Sequence, residues 1–124
     1  MRLITLIVTL FLMSGLPALG PRNQPPIAND DEVILLYHPV QVLTIPVLEN
    51  DVDPDGDVLT ISSLPLVEGG KAEIMNGKEV RVFIDWPAGG NAQGLIAHGG
   101  DVVSDGRAES KAEWFVWYWP EIVP

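Results

Sequence analysis

Short apolar segments separated by turn-forming residues constrain the fold of this 124-residue chain more than any other sequence feature. The chain contains 12 glycines and 11 prolines. Beyond residue 20, no window of about twelve residues has the periodicity of an amphipathic helix. Short β-type segments recur about every 8–12 residues, which is typical of an antiparallel β-sandwich. We therefore predict an all-β, immunoglobulin-like sandwich of about seven strands.

The clearest local signal is a hairpin. Asn76-Gly77 favours a two-residue type I′ turn, because both central residues of that turn need positive φ angles. The flanking segments, Ala72–Met75 and Val80–Ile84, have strand character. Leu95–Val103 is ambiguous, because glycines interrupt it. The other predicted strands are Val33–Tyr37, Val40–Val47, Val58–Ile61 and Ala112–Trp119.

Residues 1–20 have the layout of a secretory signal peptide. Arg2 precedes an apolar run from Leu3 to Met13, and small and turn-forming residues follow. A membrane helix needs about 20 apolar residues, so this run is too short to span a bilayer comfortably. We predict a secreted or cell-surface protein whose residues 21–124 form one sandwich domain. An uncleaved signal segment, acting as an anchor, is the alternative and the only predicted link to a membrane.

The charge and the residue types exclude several classes of function. The formal net charge is −10, so the chain repels nucleic acid and anionic membranes and attracts cations. It has no cysteine, which excludes an antibody-type disulfide and a thiolate nucleophile. Its two histidines, His38 and His98, have no carboxylate partner in a sequence motif. We predict surface or loop positions for both histidines, and no catalysis.

The acidic stretch "NDVDPDGD" places aspartates at alternate positions 51, 53, 55 and 57. Carboxylates are hard oxygen ligands suited to calcium, and crowding them costs repulsion unless a cation neutralises their charge. The stretch begins like an EF-hand loop, but Ser62 occupies the position of the required bidentate glutamate. Two interpretations therefore remain open. One is a calcium site, and the other is a solvated turn in which the side chains cap backbone amides.

With this acidic core, three motifs of the chain resemble the bacterial immunoglobulin-like, cadherin-like repeats of secreted and surface adhesins. The motifs are "PPIANDDEV", "IPVLENDVDPDGDVLTI" and "VVSDG", and the resemblance covers roughly residues 25–120. The matching positions are Pro26, Ala28, Asp30 and Asp31 in the first motif; Val47, Leu48, Asn50, Asp51, Asp53, Asp55, Gly56, Asp57 and Leu59 in the second; and Ser104, Asp105 and Gly106 in the third.

The resemblance implies a sandwich that binds calcium near one end and has a structural or adhesive role towards a surface protein or glycan. The ligands that it implies are Asp31, Asp51, Asp53, Asp57 and Asp105, while Asn50 and Asp55 shape the turn. The chain departs from the family at Gly99 and Asp101, where aromatic rings are expected. We therefore expect a shifted, bulged or poorly formed strand there.

The last predicted strand is rich in aromatic residues. Alternation places Phe115, Trp117 and Trp119 on one face and Trp114 and Tyr118 on the other. Exposed rings can stack on sugars or anchor a protein partner. A carbohydrate-binding module that uses Trp114, Trp117 and Trp119 is therefore the alternative function. We favour the interpretation that these rings fill core space left by the missing aromatics upstream.

Overall fold

The computed structural model describes residues 22–37, 40–88 and 92–120, and these residues form seven strands. The strands are β1 (Asp31–Leu35), β2 (Val42–Ile45), β3 (Thr60–Glu68), β4 (Gly70–Met75), β5 (Glu79–Ile84), β6 (Gly94–Ser104) and β7 (Glu109–Tyr118). This architecture confirms the all-β prediction. The predicted signal peptide and His38 lie outside the described residues. Within the described ranges, no helix is long and apolar enough to cross a membrane.

The strands form two sheets that pack face to face. The four-stranded sheet has the order β1-β7-β6-β3, and the three-stranded sheet has the order β2-β5-β4. β1 runs parallel to β7, and the other neighbours are antiparallel. Alternate side chains of each strand point between the sheets. The buried core cluster is Ile45, Val47, Ile61, Val80, Val82, Ile84, Ile96, Ala97, Trp114 and Val116.

The hairpin prediction is confirmed. Asn76 and Gly77 have φ angles of 54° and 69°, as a type I′ turn requires. The amide of Lys78 donates to the carbonyl of Met75 at 3.0 Å. This turn sets the register of β4 against β5, so their apolar side chains share the inner face.

The ambiguous segment is a central strand. β6 has 11 residues and a register shift against β7 between Leu95 and Ala97. Gly99 lies where β6 passes Trp114, and a Cβ atom there would be 2.3 Å from the indole Cζ2. The fully buried ring of Trp114 thus covers the position where an aromatic side chain was expected. The expected bulge exists, but it lies before Gly99, and the strand is well formed.

Three distant segments meet at one end of the sandwich. Ile27 and Val52 form an isolated antiparallel bridge, with N···O distances of 2.7 and 3.1 Å. The bridge lays residues 22–30 beside the acidic stretch. The turn between β6 and β7 joins them, because Asn23 Nδ2 donates to Asp105 Oδ2 at 2.8 Å. Most of the predicted calcium ligands are therefore gathered here by tertiary contacts.

Candidate metal centre

Asp53, Asp55 and Asp57 form a compact group of carboxylates, which we call the loop cluster. One oxygen from each lies within 4.8 Å of the other two. Gly56 has a φ angle of 76°, which glycine adopts without strain, and its amide donates to the carbonyl of Asp53 at 3.0 Å. This tight turn is what brings the alternate aspartates together.

Asp53 combines both interpretations of the acidic stretch in one side chain. Its Oδ1 accepts hydrogen bonds from the amides of Asp55 at 2.9 Å and Asp57 at 3.1 Å. These are the backbone-capping bonds of a polar turn. Its Oδ2 is buried and has no hydrogen-bond partner among the described residues. One oxygen therefore shapes the loop, and the other remains as an unsatisfied acceptor.

Asp105 lies beside the loop cluster and is held as an anion. Its Oδ1 accepts hydrogen bonds from the amides of Ala108 and Arg107, both at 2.7 Å. The Ala108 amide first, followed by the Asn23 side chain and the Arg107 amide, lowers the pKa of Asp105 below its usual value.

An open cleft of about 330 Å³ adjoins the loop cluster. Its lining is mixed in charge and consists of Arg22, Asn23, Asp55, Asp57 and Arg107. The two guanidinium groups offset part of the negative charge of the aspartates. The backbone amide of Gln24 also donates to Asp55 Oδ2 at 2.6 Å. The N-terminal segment is thus bonded directly to the acidic loop.

Asp31 and Asp51, the other two predicted ligands, belong to a separate group with Asp30 and Asp101, which we call the interior cluster. Asp31 Oδ2 and Asp51 Oδ2 are buried without a hydrogen-bond partner in the described part of the chain. Burial, reinforced by the charges of Asp101, Asp51 and Asp30, raises the pKa of Asp31 to about 7. Burial also raises the pKa of Asp51, and the amide of Asn29 opposes this by donating to its Oδ1 at 2.8 Å.

Asp101 is a member of this cluster that the sequence did not indicate as a candidate ligand. It has 0% exposure, and neither of its oxygens has a hydrogen-bond partner within the described ranges. Burial, with the charges of Asp51 and Asp30, raises its pKa to about 6. One sequence feature could have indicated Asp101: it is an aspartate at a position where the resemblance implies a core aromatic residue. The single site implied by the resemblance is thus divided between two groups of carboxylates.

Asn50 stabilises the corner between the N-terminal segment and the acidic stretch, in line with the turn-shaping role expected of it. Its Nδ2 donates to the carbonyl of Asp30 at 2.9 Å, and its own carbonyl accepts from Asn29 Nδ2 at 2.7 Å. Asp30 Oδ1 accepts from the amide of Glu113 in β7 at 2.8 Å. Asp55, by contrast, contributes an oxygen to the loop cluster as well as forming part of the turn.

The aromatic residues of β7 divide between the two faces. Trp114 is fully buried, so its ring is not accessible for stacking on a ligand. Trp117 and Trp119 stack on the outer side, with ring centroids 6.3 Å apart and planes at 9°. They line an open cleft of about 280 Å³ with Glu32 and Ile34.

His98 has a carboxylate partner that its sequence context did not reveal. It lies in β6 rather than in a loop, and its Nε2 is 2.7 Å from Oε2 of Glu68 on the neighbouring edge strand β3. Its ring also stacks on Phe115, with centroids 6.3 Å apart. His98 thus contacts residues of both neighbouring strands on the outer face of the sheet, and these contacts suffice to explain its position.

Comparisons with known proteins connect this architecture to a family. A family model described as a bacterial Ig domain matches residues 23–113. No curated protein matches the sequence. Two matched solved structures are endo-fucoidan hydrolases of glycoside hydrolase family 107. MfFcnA9 has 20% identity and a TM-score of 0.48 over 78% of this chain. MfFcnA4 has 17% identity and a TM-score of 0.41 over 81%. The chain spans only 16% and 14% of those two chains, respectively.

Proposed function

The chain belongs to the bacterial immunoglobulin-like domain family, and on that premise we propose that it is a calcium-binding module of a secreted or cell-surface protein. Its role is structural or adhesive, towards a surface protein or glycan, and it performs no catalysis. The observation that carries the proposal is the loop cluster, in which three carboxylate oxygens lie within 4.8 Å of one another.

The residues of the loop cluster fit a calcium ion. Calcium binds oxygen ligands at about 2.3–2.6 Å, so two ligands on opposite sides of the ion are up to about 5 Å apart. The 4.8 Å limit on the loop-cluster oxygens agrees with that spacing. Asp53 Oδ2 is a buried acceptor without a protein partner in the described residues, and Asp105 is an adjacent anion. When bound, calcium would supply the positive charge that this set of carboxylates lacks.

Calcium binding here would stiffen the connection between the N-terminal segment and the sandwich. Asp55 already accepts the amide of Gln24, and Asp105 accepts the side chain of Asn23. A cation that holds Asp55 and Asp105 in place also holds residues 22–27 against the end of the sandwich. Such a fixed direction of the chain is useful in a surface protein, where a module must transmit force or present a partner at a set angle.

The test is thermal unfolding of residues 21–124, which contain every described strand. The midpoint is measured with millimolar calcium and with a chelator. We expect calcium to raise the Tm of the wild type. Asp53→Asn keeps the size of the side chain but removes its charge, so it should abolish most of the increase from the loop site. Asp85→Asn, at an exposed position after β5, is the matched control for net charge. Equal midpoints of the wild type in both buffers would refute calcium binding.

The stacked Trp117–Trp119 pair favours a second candidate function, carbohydrate binding. Parallel rings on the outer face offer a platform for the apolar face of a sugar; Trp117 is partly buried and Trp119 is 48% exposed. Intrinsic fluorescence is measured against a panel of soluble polysaccharides, with Trp119→Ala as the variant and Phe83→Ala, on the other sheet, as the control. A response lost only in Trp119→Ala supports this function. An unchanged signal across the panel argues against it.

A further inference from the structure

Two aspartates from different strands share the inner face of the four-stranded sheet. Asp101 of β6 pairs with Ala112 of β7, and Asp31 of β1 pairs with Trp114 of β7. Directly paired residues point to the same side of a sheet, and Ala112 and Trp114 are both buried in the core. Asp31 and Asp101 therefore lie on the two strands that flank β7 and point to the same face of the sheet, beside the small side chain of Ala112.

The third aspartate arrives from the acidic stretch. The Ile27–Val52 bridge positions the preceding residue, Asp51, beside the start of β1. The amide of Asn29 then holds Asp51 Oδ1 at 2.8 Å. Asp51 thus lies next to the segment that leads into Asp31 at the start of β1.

Some oxygens of these aspartates accept hydrogen bonds, such as Asp51 Oδ1 from the amide of Asn29, but others are buried without a partner. Four of their oxygens are buried without a hydrogen-bond partner in the described residues: Asp31 Oδ2, Asp51 Oδ2 and both oxygens of Asp101. Buried polar groups are nearly always hydrogen-bonded, and buried charges are paired or bind metals. The ion pairs within 4.0 Å found in the described ranges, Arg81–Glu73 and His98–Glu68, include none of these aspartates.

We propose that Asp31, Asp51 and Asp101 form a second cation site, inside the end of the sandwich, for a hard divalent ion of the calcium class. A single shared proton bridges only two oxygens and leaves the other carboxylates charged. A divalent ion contacts several carboxylate oxygens at once and neutralises most of their charge. Asp30 supports the site rather than lining it, because its Oδ1 is occupied by the amide of Glu113.

The interior carboxylates stand farther apart than those of the loop cluster. Among the described residues, only the loop cluster brings oxygens of three carboxylates within 4.8 Å of one another. Like charges repel one another, and an ion bound there would require the three side chains to rotate towards it. A cation there links β1 to β6 across β7 and connects both to the acidic stretch. The site thus crosslinks the edge strand β1 to the sheet interior.

The interior site depends on residues other than those of the loop cluster, so the two proposals fail separately. Calcium is titrated into residues 21–124 in a calorimeter at pH 8, for the wild type, Asp101→Asn, Asp31→Asn, Asp53→Asn and Asp85→Asn. We expect Asp101→Asn and Asp31→Asn each to bind one calcium equivalent fewer than the wild type. Asp85→Asn should bind as the wild type does. Far-UV circular dichroism checks the fold of each variant.

The outcomes separate the two sites. If Asp101→Asn and Asp31→Asn bind as much calcium as the wild type, with the same affinity, the interior site is refuted. If Asp53→Asn loses nothing while the interior variants lose an equivalent, the interior site stands and the loop site is refuted. No binding by the wild type overturns both. If Asp101→Asn does not fold, Asp31→Asn decides, because Asp31 is only partly buried.

Discussion

Replacing Asp101 by asparagine should change stability by an amount that depends on calcium. The carboxylate is fully buried and both of its oxygens lack partners in the described part of the chain. An isolated buried charge is costly, because burial removes its hydration. Asparagine removes that charge, but its amide still has buried polar atoms without partners, which offsets part of the gain. In chelator, Asp101→Asn should therefore be more stable than the wild type by roughly 1 kcal/mol.

Calcium should remove this advantage. A ligand at about 100 times its dissociation constant stabilises the folded state by about 2.7 kcal/mol, and the variant loses that gain at the interior site. Its stability relative to the wild type should thus change from about +1 to about −2 kcal/mol. For a domain of this size, 1 kcal/mol corresponds to about 4–8 °C in Tm, so the reversal is measurable.

The assay is urea unfolding at pH 8, followed by tryptophan fluorescence, with and without calcium. At this pH Asp31 and Asp101 are mostly ionised, because their pKa values are about 7 and about 6. A variant advantage of equal size in both buffers would show that Asp101 does not bind calcium. A variant less stable than the wild type in chelator would show that the buried carboxylate is compensated, and would refute the reasoning behind the site.

Three further predictions concern the cation-free domain. Burial raises the pKa values of Asp31 and Asp101 above 3.8, so the folded state binds more protons than the unfolded state. Unfolding in chelator should therefore show lower stability at pH 8 than at pH 5, and higher stability at pH 8 would contradict the raised pKa values. Gly99→Ala should destabilise the domain by roughly 1–3 kcal/mol or more, because the new Cβ would lie 2.3 Å from Trp114 Cζ2 and 2.5 Å from a backbone oxygen. An unchanged urea midpoint would contradict this close packing. Gly77→Ala should cost only about 1–2 kcal/mol, since its φ is 69° but its nearest contact is 4.0 Å away, and a loss exceeding that of Gly99→Ala would reverse the expected order.

Local chemistry accounts for what could be predicted without the structure. The Asn76-Gly77 turn depends on the φ preferences of two adjacent residues, and the turn at Asp53 depends on bonds to amides two and four residues away. Alternation placed Trp114 and Trp117 on opposite faces, as found. The motifs of the acidic stretch indicated the family, and the family match over residues 23–113 confirms it.

The tertiary structure decided how the acidic residues are grouped. Asp31, Asp51 and Asp101 come together only because β1 and β6 both pair with β7 and because Ile27 bridges to Val52. Such pairings depend on register between segments that are distant in sequence, and a shift by one residue would turn each side chain to the opposite face. The sequence by itself therefore determined the all-β class, the hairpin and the acidic turn, while it left β6 ambiguous and placed only the first residues of β3 in a strand. The pairing of distant strands determined that Asp101, at a position where a core aromatic was expected, lies among the buried carboxylates of Asp31 and Asp51. Only tertiary packing removes these groups from water and groups them together.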